Sequence, residues 1–197
     1  ANDLQITAGN LSDIQAATVG TNILTVSADM DIGSAGSLGQ NDLTADIQIF
    51  TNGSSQMLLG GDGTGSSGKF TLDNDEFSRI HSGGDLSIYA VETGIGGFDL
   101  TIENLQPSAS FDGNFGRDAN FNISADQSIR VDGRLSVQGD FQTTLNLVAG
   151  EDIFINAETG SIGITNDGSL SGNLAFTARN IYAMTDQAFD DIQGMST

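Results

Sequence analysis

Residues 86–90 read Leu-Ser-Ile-Tyr-Ala, and residues 121–125 read Phe-Asn-Ile-Ser-Ala. In both stretches an apolar residue occupies every second position, which is the period of a strand with one buried face. The same pattern recurs at residues 4–8, 24–28, 145–149 and 174–178. Similar strands repeated along one chain predict a stacked-repeat architecture.

The repeats are unevenly spaced. When Leu100 is counted as the start of a related strand, the interval from Leu86 to Leu100 is about half the interval from Leu145 to Leu174. A constant strand with variable intervals predicts windings whose corners carry insertions of different length. Residues 52–69, which contain a glycine-rich run, are predicted to form an outward loop, and residues 106–117 a second irregular region.

This pattern is compatible with two β architectures, an antiparallel sandwich and a parallel β-helix. Asn-Gly, Asp-Gly and Gly-Asp pairs between short strands are typical of hairpins, which would build an antiparallel sandwich. However, the repeats share one residue order and end in Ala, so parallel stacking in register places similar residues of successive strands next to one another. We therefore predict an all-β fold with a parallel β-helix. Asn side chains at the strand starts are predicted to stack as an amide ladder. These residues are Asn2, Asn22, Asn41, Asn120 and Asn173.

The composition agrees with short strands and many turns. The 197 residues include 26 Gly and one Pro, whereas Glu, Lys and Arg total only 11. Long helices are not expected, and single helical turns are predicted at 75–80 and 186–192. No apolar run is long enough for a transmembrane helix. Because neither end carries a polar cap, we expect residues 1–197 to be one β-helix segment of a longer protein.

The net charge limits the partners. The chain has 26 acids against 6 Lys and Arg, a net charge of −20. This charge repels nucleic-acid phosphates, so a nucleic-acid partner is not expected. The acids are spread over turn positions, which indicates a solvated surface that can attract divalent cations. The chain has no Cys, which excludes disulfides and zinc-thiolate sites. The composition fits an exported protein.

Catalytic residues are few. His81 is the only histidine, so a Ser-His-Asp type of triad has little support, and His81 is predicted to be a polar corner residue. The alternative is a carbohydrate-active, polysaccharide lyase-like β-helix enzyme with a calcium site and an Arg base. Its candidate residues are Arg130, Arg134, Asp126, Asp132 and Asp140. Charge balance on an acidic surface is the plainer interpretation of these arginines.

Metal ligands are equally sparse. Residues 60–65 are similar to a calcium-binding glycine-rich nonapeptide, but Gly65 stands where the ligating Asp should be and the unit does not repeat. Asp73, Asp75 and Glu76 remain candidates for a single weakly bound calcium ion. Glu76 and Arg79, three residues apart, predict a local ion pair on a helical turn. We assign no catalytic, cofactor-binding or metal residue, and no cofactor beyond weak calcium.

The chain has 11 Phe residues, which could form an adhesive apolar face. We predict instead that they stack inside the windings, because aromatic side chains fill such a core efficiently. Examples are Phe111, Phe115, Phe121 and Phe141.

Two segments of the chain have a distinctive residue order. Residues 70–80, Phe-Thr-Leu-Asp-Asn-Asp-Glu-Phe-Ser-Arg-Ile, precede a Gly-led strand at 84–88. Together they resemble a segment that recurs in filamentous haemagglutinin-like large exoproteins. Residues 174–182, Leu-Ala-Phe-Thr-Ala-Arg-Asn-Ile-Tyr, are similar to another, which usually continues Tyr-Pro-x-Thr. Here Ala183 replaces the Pro, while Thr185 keeps the Thr.

The resemblance implies a right-handed parallel β-helix that reaches the bacterial cell surface through an outer-membrane partner transporter. It further implies adhesion or a structural fibre as the role. We therefore expect a non-enzymatic extracellular adhesin, stalk or filament subunit. Its expected partners are that transporter, a surface carbohydrate or protein ligand, and further copies of itself stacked end to end.

Overall fold

The computed structural model describes residues 4–12, 15–16, 22–32, 37–39, 46–51, 56–61, 69–81, 84–91, 99–105, 120–138, 144–166, 169–170 and 172–185. In chain order the strands are β1 (Leu4–Ser12), β2 (Gln15–Ala16), β3 (Asn22–Asp31), β4 (Ser37–Gly39), β5 (Ile47–Thr51), β6 (Met57–Gly60), β7 (Phe70–Leu72), β8 (Ile80–His81), β9 (Leu86–Ala90), β10 (Leu100–Glu103), β11 (Asn120–Ala125), β12 (Ile129–Val131), β13 (Arg134–Gln138), β14 (Thr144–Ala149), β15 (Asp152–Asn156), β16 (Ser161–Asn166), β17 (Ser169–Leu170), β18 (Asn173–Thr177) and β19 (Asn180–Met184). A four-residue helix, α1 (Asn74–Phe77), lies between β7 and β8.

The strands form parallel sheets. The largest has the order β1-β3-β5-β9-β11-β14-β18, and the next has the order β19-β15-β12-β10-β6-β7. Two three-stranded sheets, β2-β4-β8 and β13-β16-β17, complete the set. Among the described pairings only β16–β17 is antiparallel, so the fold is all-β with parallel sheets, and the hairpin-based alternative is wrong for these residues.

From β11 to β16, successive strands change sheet. β11 lies in the seven-stranded sheet, β12 in the six-stranded sheet and β13 in a three-stranded sheet, and β14, β15 and β16 repeat this order. Phe121 pairs with Leu145, and Ile129 pairs with Ile153, so both sheets advance by the same sequence interval. Each sheet of this region therefore receives one strand per repeat.

The six predicted repeats all lie in the seven-stranded sheet, where four Cα rows cross every strand. We name three of these rows by their residue in β18. The Leu174 row is Leu4, Asn22, Ile47, Leu86, Phe121, Leu145 and Leu174. The Phe176 row is Ile6, Leu24, Ile49, Ile88, Ile123, Leu147 and Phe176. The Thr177 row is Thr7, Thr25, Phe50, Tyr89, Ser124, Val148 and Thr177.

Three details of the predicted alignment were wrong. Leu24 pairs with Ile6 rather than Leu4, a slip of two positions that keeps each residue on its face because strand side chains alternate with period two. Leu100 lies in β10, in the six-stranded sheet. The strand β5 was missed, although it pairs with both β3 and β9.

The core is formed by the alternating apolar side chains on the inward face of the strands. In β9, β11 and β14 every second side chain is buried, and the strands end in the stacked residues Ala90, Ala125 and Ala149. The predicted small residue at the strand end is confirmed there. Complete burial of each Leu, Ile or Phe contributes about 1.5–3 kcal/mol to stability, so stacked apolar rows are the main source of cohesion between strands.

The predicted helical turn at 75–80 is present as α1, with different bounds. Asp73 caps it, because its Oδ1 accepts from the Glu76 N–H at 2.8 Å while Glu76 Oε2 accepts from the Asp73 N–H at 2.9 Å. This reciprocal capping box satisfies backbone donors at the helix start. Phe77 is buried, and its ring centroid lies 5.4 Å from that of Phe121. The turn predicted at 186–192 lies outside the described residues.

The loop predicted at 52–69 contains a strand. Met57 and Leu59 of β6 are buried, and β6 pairs with both β7 and β10. Gly60 ends this strand at φ +86°, and a Cβ there would lie 2.3 Å from the Glu103 backbone oxygen, so the position requires glycine. Residues 52–55, 62–68 and 106–117 lie outside the described residues.

Two further sequence predictions concern single features. His81, predicted to be a polar corner residue, is the last residue of β8 and pairs with Gly39. In the part of the chain that the structure describes, no helix is both long enough and apolar enough to cross a membrane.

Candidate functional site

The outward face of the six-stranded sheet carries one continuous row of side chains, which we call the outer row. It consists of Thr71, Leu58, Thr101, Arg130, Phe154 and Tyr182. These positions alternate with fully buried neighbours such as Ile129, Val131 and Ile153, which places the outer row on the opposite side of the sheet. The Phe154 and Tyr182 rings stack at 5.1 Å and 20°.

Arg130 is held within this row by Asp132. Its Nη2 lies 2.8 Å from Asp132 Oδ2 and 2.9 Å from Asp132 Oδ1. Asn156 Nδ2 donates to the same Oδ1 at 3.0 Å, and Thr159 Oγ1 donates to the Asp132 backbone oxygen. Because Asn156 ends β15, these bonds tie the corner after β12 to the next strand of the sheet.

Asp126 lies at the other end of β12. Its carboxylate accepts the phenolic O–H of Tyr89. This hydrogen bond, followed by burial and the negative charges of Asp126 and Asp99, raises the pKa of Tyr89 to about 12. The Tyr89 ring also lies 5.6 Å from that of Phe50, its register partner.

The residues of the enzyme alternative are therefore distributed over several places. Asp126 lies before β12 and contacts Tyr89, whereas Arg130 lies within β12 and contacts Asp132 just after it. The exposed Arg134 uses its backbone N–H to donate to Asn104 Oδ1 at 3.0 Å. Asp140 lies outside the described residues.

Carboxylates at the corners bond the backbone of the next strand. Asp46 Oδ1 accepts from the Asp85 N–H at 2.9 Å, and Asp85 Oδ1 in turn accepts from the Asn120 N–H at 2.7 Å. Asp99, which is fully buried, accepts from the Gln127 N–H at 2.8 Å. Part of the negative charge is therefore used between strands, whereas the sequence indicated only a solvated surface.

The Asn ladder predicted at the strand starts was wrong. Asn120 Nδ2 donates to both carboxylate oxygens of Asp85 at 3.1 Å, and the Cα neighbour of Asn120 in β14 is Thr144. Asn22 pairs with Leu4 and Ile47, and Asn173 is exposed. Asn2 and Asn41 lie outside the described residues.

An amide ladder exists two positions further into the strands. Asn122 Nδ2 donates to Ser87 Oγ at 3.0 Å, and Asn146 Nδ2 donates to Asn122 Oδ1 at 2.7 Å. The signal was present in the sequence, because these residues hold the second position of three aligned repeats. This ladder links β9, β11 and β14 on their outward face.

The candidate calcium ligands and the predicted Glu76–Arg79 pair have a different use. Glu76 Oε1 accepts from the Ile32 N–H at 3.2 Å, and Arg79 Nη1 donates to the Ile32 carbonyl oxygen at 2.5 Å. Both side chains thus bind the backbone of the same residue in an earlier part of the chain. Asp75 is exposed. Within the described ranges, no group of three or more His, Asp and Glu residues is placed to hold a metal ion.

The described phenylalanines are divided between the core and the outward rows of the sheets, where Phe154 is still only 7% exposed. Phe70, Phe77 and Phe121 are fully buried, as predicted. Phe50 and Phe154 lie on outward rows beside Tyr89 and Tyr182, so the aromatic stacks along the sheets are outside the core. Phe111, Phe115 and Phe141 lie outside the described residues.

One end of the described structure exposes the core rows. We call the pair of strands β18 and β19 the β18–β19 end. Leu174 is 45% exposed, Phe176 37% and Ile181 51%. Their register neighbours Leu145, Leu147 and Ile153 are 0% exposed. The described large hydrophobic residues that are exposed are these three together with Val148 and Tyr182, so exposed apolar surface is concentrated at this end.

Comparisons with protein families, with curated proteins and with solved structures find no match for this chain.

Proposed function

We propose that the chain is a right-handed parallel β-helix that works as a non-enzymatic rod in a large bacterial surface or secreted protein. The observation that carries the proposal is the sheet order. The two large sheets gain parallel strands in nearly the order of the sequence, and consecutive strands belong to different sheets except for β6–β7 and β16–β17. A chain that winds steadily around one axis produces this order, and right-handed crossovers are strongly preferred between parallel strands.

The lateral bonding supports a mechanical role. Three kinds of contact join one strand to the next along the same direction. They are the apolar rows inside, the Ser87–Asn122–Asn146 ladder outside, and the Asp85–Asn120 bonds at a corner. Such a structure resists bending because every level is bonded to the next at several points around its perimeter. A rigid spacer that presents or links binding surfaces uses this property directly.

The role and location rest on the resemblance together with the charge. The resemblance to filamentous haemagglutinin-like exoproteins supports an extracellular adhesin, stalk or filament subunit, exported through an outer-membrane transporter. The net charge of −20 favours carbohydrate or protein surfaces over nucleic acid as ligands. The exposed ring of Tyr182 beside Phe154 is the described surface best suited to stack on a sugar ring.

Particle shape and ligand binding test this proposal. Negative-stain images should show rods, with roughly 30 Å between β1 and β18 for six steps of about 4.8 Å. Beads coated with the protein should bind a subset of glycans or cell-surface proteins. Compact, isotropic particles with two facing layers would overturn the rod, and failure of coated beads to bind any such surface would leave only the stalk and filament roles.

A turnover screen tests the non-enzymatic part. With acidic polysaccharides and calcium, we expect neither new reducing ends nor unsaturated products. Turnover that is lost in Arg130→Ala or Arg134→Ala but kept in Arg179→Ala would establish the enzyme instead. Arg179 is a matched control because it is exposed and lies outside the candidate set.

Chelation tests the role of calcium. A bound calcium ion stabilises a protein by binding its folded state, so removing it lowers the melting temperature. Because the described residues include no group of three or more His, Asp and Glu placed to hold a metal ion, we expect the melting temperature to stay unchanged when EDTA is added. A large drop in melting temperature that calcium reverses would replace this expectation with a calcium-stabilised rod.

A further inference from the structure

The β18–β19 end exposes apolar side chains whose register neighbours in β14 and β15 are buried. The Leu174 row and the Phe176 row are fully buried at β14, one strand before their last members become 45% and 37% exposed. β18 and β19 are also the last described strands in the order of their sheets, so one edge of each has no partner among the described strands. Open strand edges beside exposed apolar side chains are a template for a further strand.

The opposite end of the seven-stranded sheet is β1, which is equally a last strand in the described order. The register rows connect the two ends directly. The Leu174 row ends at Leu4, and the Thr177 row ends at Thr7. A second molecule that is simply shifted along the stacking direction would therefore place its Leu4 next to Leu174.

The sequence independently selects the same register. Residues 174–182 read Leu-Ala-Phe-Thr-Ala-Arg-Asn-Ile-Tyr, and residues 4–12 read Leu-Gln-Ile-Thr-Ala-Gly-Asn-Leu-Ser. Aligned without a gap, they share Leu, Thr, Ala and Asn, and apolar residues coincide at two further positions. The strands β14 and β15, which pair with β18 and β19 inside the chain, match residues 174–182 less closely in sequence. Val148 stands opposite Thr177 and Asp152 opposite Asn180, and the spacing from β14 to β15 is one residue longer than the spacing from β18 to β19.

Building on the rod proposed above, we propose that the β18–β19 end docks onto the β1 edge of a second copy of this chain. The strands of the two copies run parallel. Leu174 lies opposite Leu4, Thr177 opposite Thr7 and Asn180 opposite Asn10. The contact covers Leu174, Phe176 and Ile181. It joins two different surfaces, so each copy keeps one open end and the assembly grows head to tail.

Engineered cysteines test this contact without background, because the chain contains no Cys. Thr7→Cys and Thr177→Cys are made as separate variants, purified in the reduced state, mixed and oxidised. Neighbouring parallel strands are about 4.8 Å apart, which is within the Cα separation that a disulfide accepts. We expect a covalent dimer from the mixture and a ladder of covalent oligomers from the Thr7→Cys/Thr177→Cys double variant.

A matched control uses the middle of the same row. Ser124 has neighbours on both sides within the chain, Tyr89 and Val148, so Ser124→Cys mixed with Thr7→Cys should give no dimer. A dimer from Thr177→Cys alone would mean that two β18–β19 ends meet each other, and it would overturn the proposal. The absence of a mixed dimer at every protein concentration would overturn it as well.

Charge substitutions in the cysteine-free chain give a second, non-covalent measure of assembly. Ile181→Asp should reduce the assembled fraction about tenfold or more, because an unpaired carboxylate would be buried in the contact. Val148→Asp introduces the same charge at an outward position on β14 and should leave assembly unchanged. Equal behaviour of the two variants in sedimentation would contradict the proposal.

Failure of this contact can be told apart from failure of the rod. If no mixed dimer forms and images show single short rods, only self-docking is wrong. If the particles are not elongated, the proposed function is wrong too.

Discussion

The strand pairs β14–β15 and β18–β19 carry equivalent residues in the same register rows, yet their surroundings differ. Leu147 and Ile153 are completely buried, whereas Phe176 and Ile181, their direct partners, are 37% and 51% exposed. The difference comes from coverage, because β14 and β15 have a strand on each side while β18 and β19 have one described neighbour. An apolar residue in a stacked fold is therefore stabilised by its neighbours along the stack.

The corners of the two regions differ in the same way. Inside the stack, Asp85 receives hydrogen bonds from both the backbone and the side chain of Asn120. At the last corner, Asp152 receives Asn180 Nδ2 at 2.9 Å and the exposed Arg179 at 3.4 Å. The nearby charges of Asp152 and Glu151 raise the pKa of Arg179 above its usual range. The last corner thus pairs a partly buried carboxylate with an exposed arginine.

The largest expected effect contrasts one row at two levels. Leu147→Ala should lower the free energy of unfolding by about 3 kcal/mol, because it leaves a cavity in a closed core. Phe176→Ala should cost clearly less in dilute protein, although its side chain is larger, because that side chain is already partly hydrated. Urea denaturation of both variants at low concentration measures the contrast. Equal losses would mean that the β18–β19 end is covered in solution.

A smaller effect is expected at the corners. Asp85→Ala should cost about 1–3 kcal/mol, because it leaves the Asn120 backbone N–H without its acceptor in a partly buried place. Asp152→Ala should cost less, since exposed ion pairs contribute little. Thermal unfolding of the two variants side by side gives the comparison. A larger loss for Asp152→Ala would show that the last corner is as closed as the interior one.

The smallest effect concerns Tyr89, whose hydroxyl bonds Asp126 between two neighbouring strands. Tyr182→Phe leaves Tyr89 as the only tyrosine, and its absorbance should titrate at a pKa of about 12. In the Tyr182→Phe/Asp126→Asn variant the pKa should fall toward the usual 10, because the hydrogen bond to a carboxylate and its charge are removed. A midpoint unchanged by Asp126→Asn would disprove this contact.

The sign of the accompanying stability change follows from linkage. The folded state holds Tyr89 neutral, with a pKa raised from 10.0 to about 12. The contribution of Tyr89 to stability is therefore complete below pH 10 and is lost as the pH rises through about 12. Asp126→Asn should flatten the stability profile in that window.

The sequence predicted the strands whose alternation is regular and missed those whose signal is short or mixed. Residues 86–90, 121–125 and 145–149 were placed in one sheet and in the correct register. β6 was missed because only Met57–Gly60 carries the strand pattern beside a glycine-rich run. β5 was missed although its buried Ile47 and Ile49 alternate with the outward Gln48 and Phe50, because the residue order differs from the Leu-led repeats. The slip at Leu24 was invisible to the pattern, since alternation is unchanged by an even shift.

The candidate residues show the same division. Asp, Asn and Arg at corners could be recognised as polar turn residues from the sequence, but their partners lie on strands that are distant along the chain. The side chains of Glu76 and Arg79 both reach Ile32, in a much earlier part of the sequence. Local spacing suggested an ion pair on the helical turn instead, because a pattern within a single turn contains no information about an earlier strand.

The amino-acid sequence by itself determined the regular Leu- or Phe-led strands, which face of each of them is apolar, and that the chain is acidic and free of thiols. These properties follow from local alternation and composition. Only the tertiary structure decided which strands are neighbours, which carboxylates bond the next level, and that Leu174, Phe176 and Ile181 remain uncovered. The reason is that burial and hydrogen bonding depend on what lies above and below a strand, and in this protein those neighbours come from residues that are distant in the sequence.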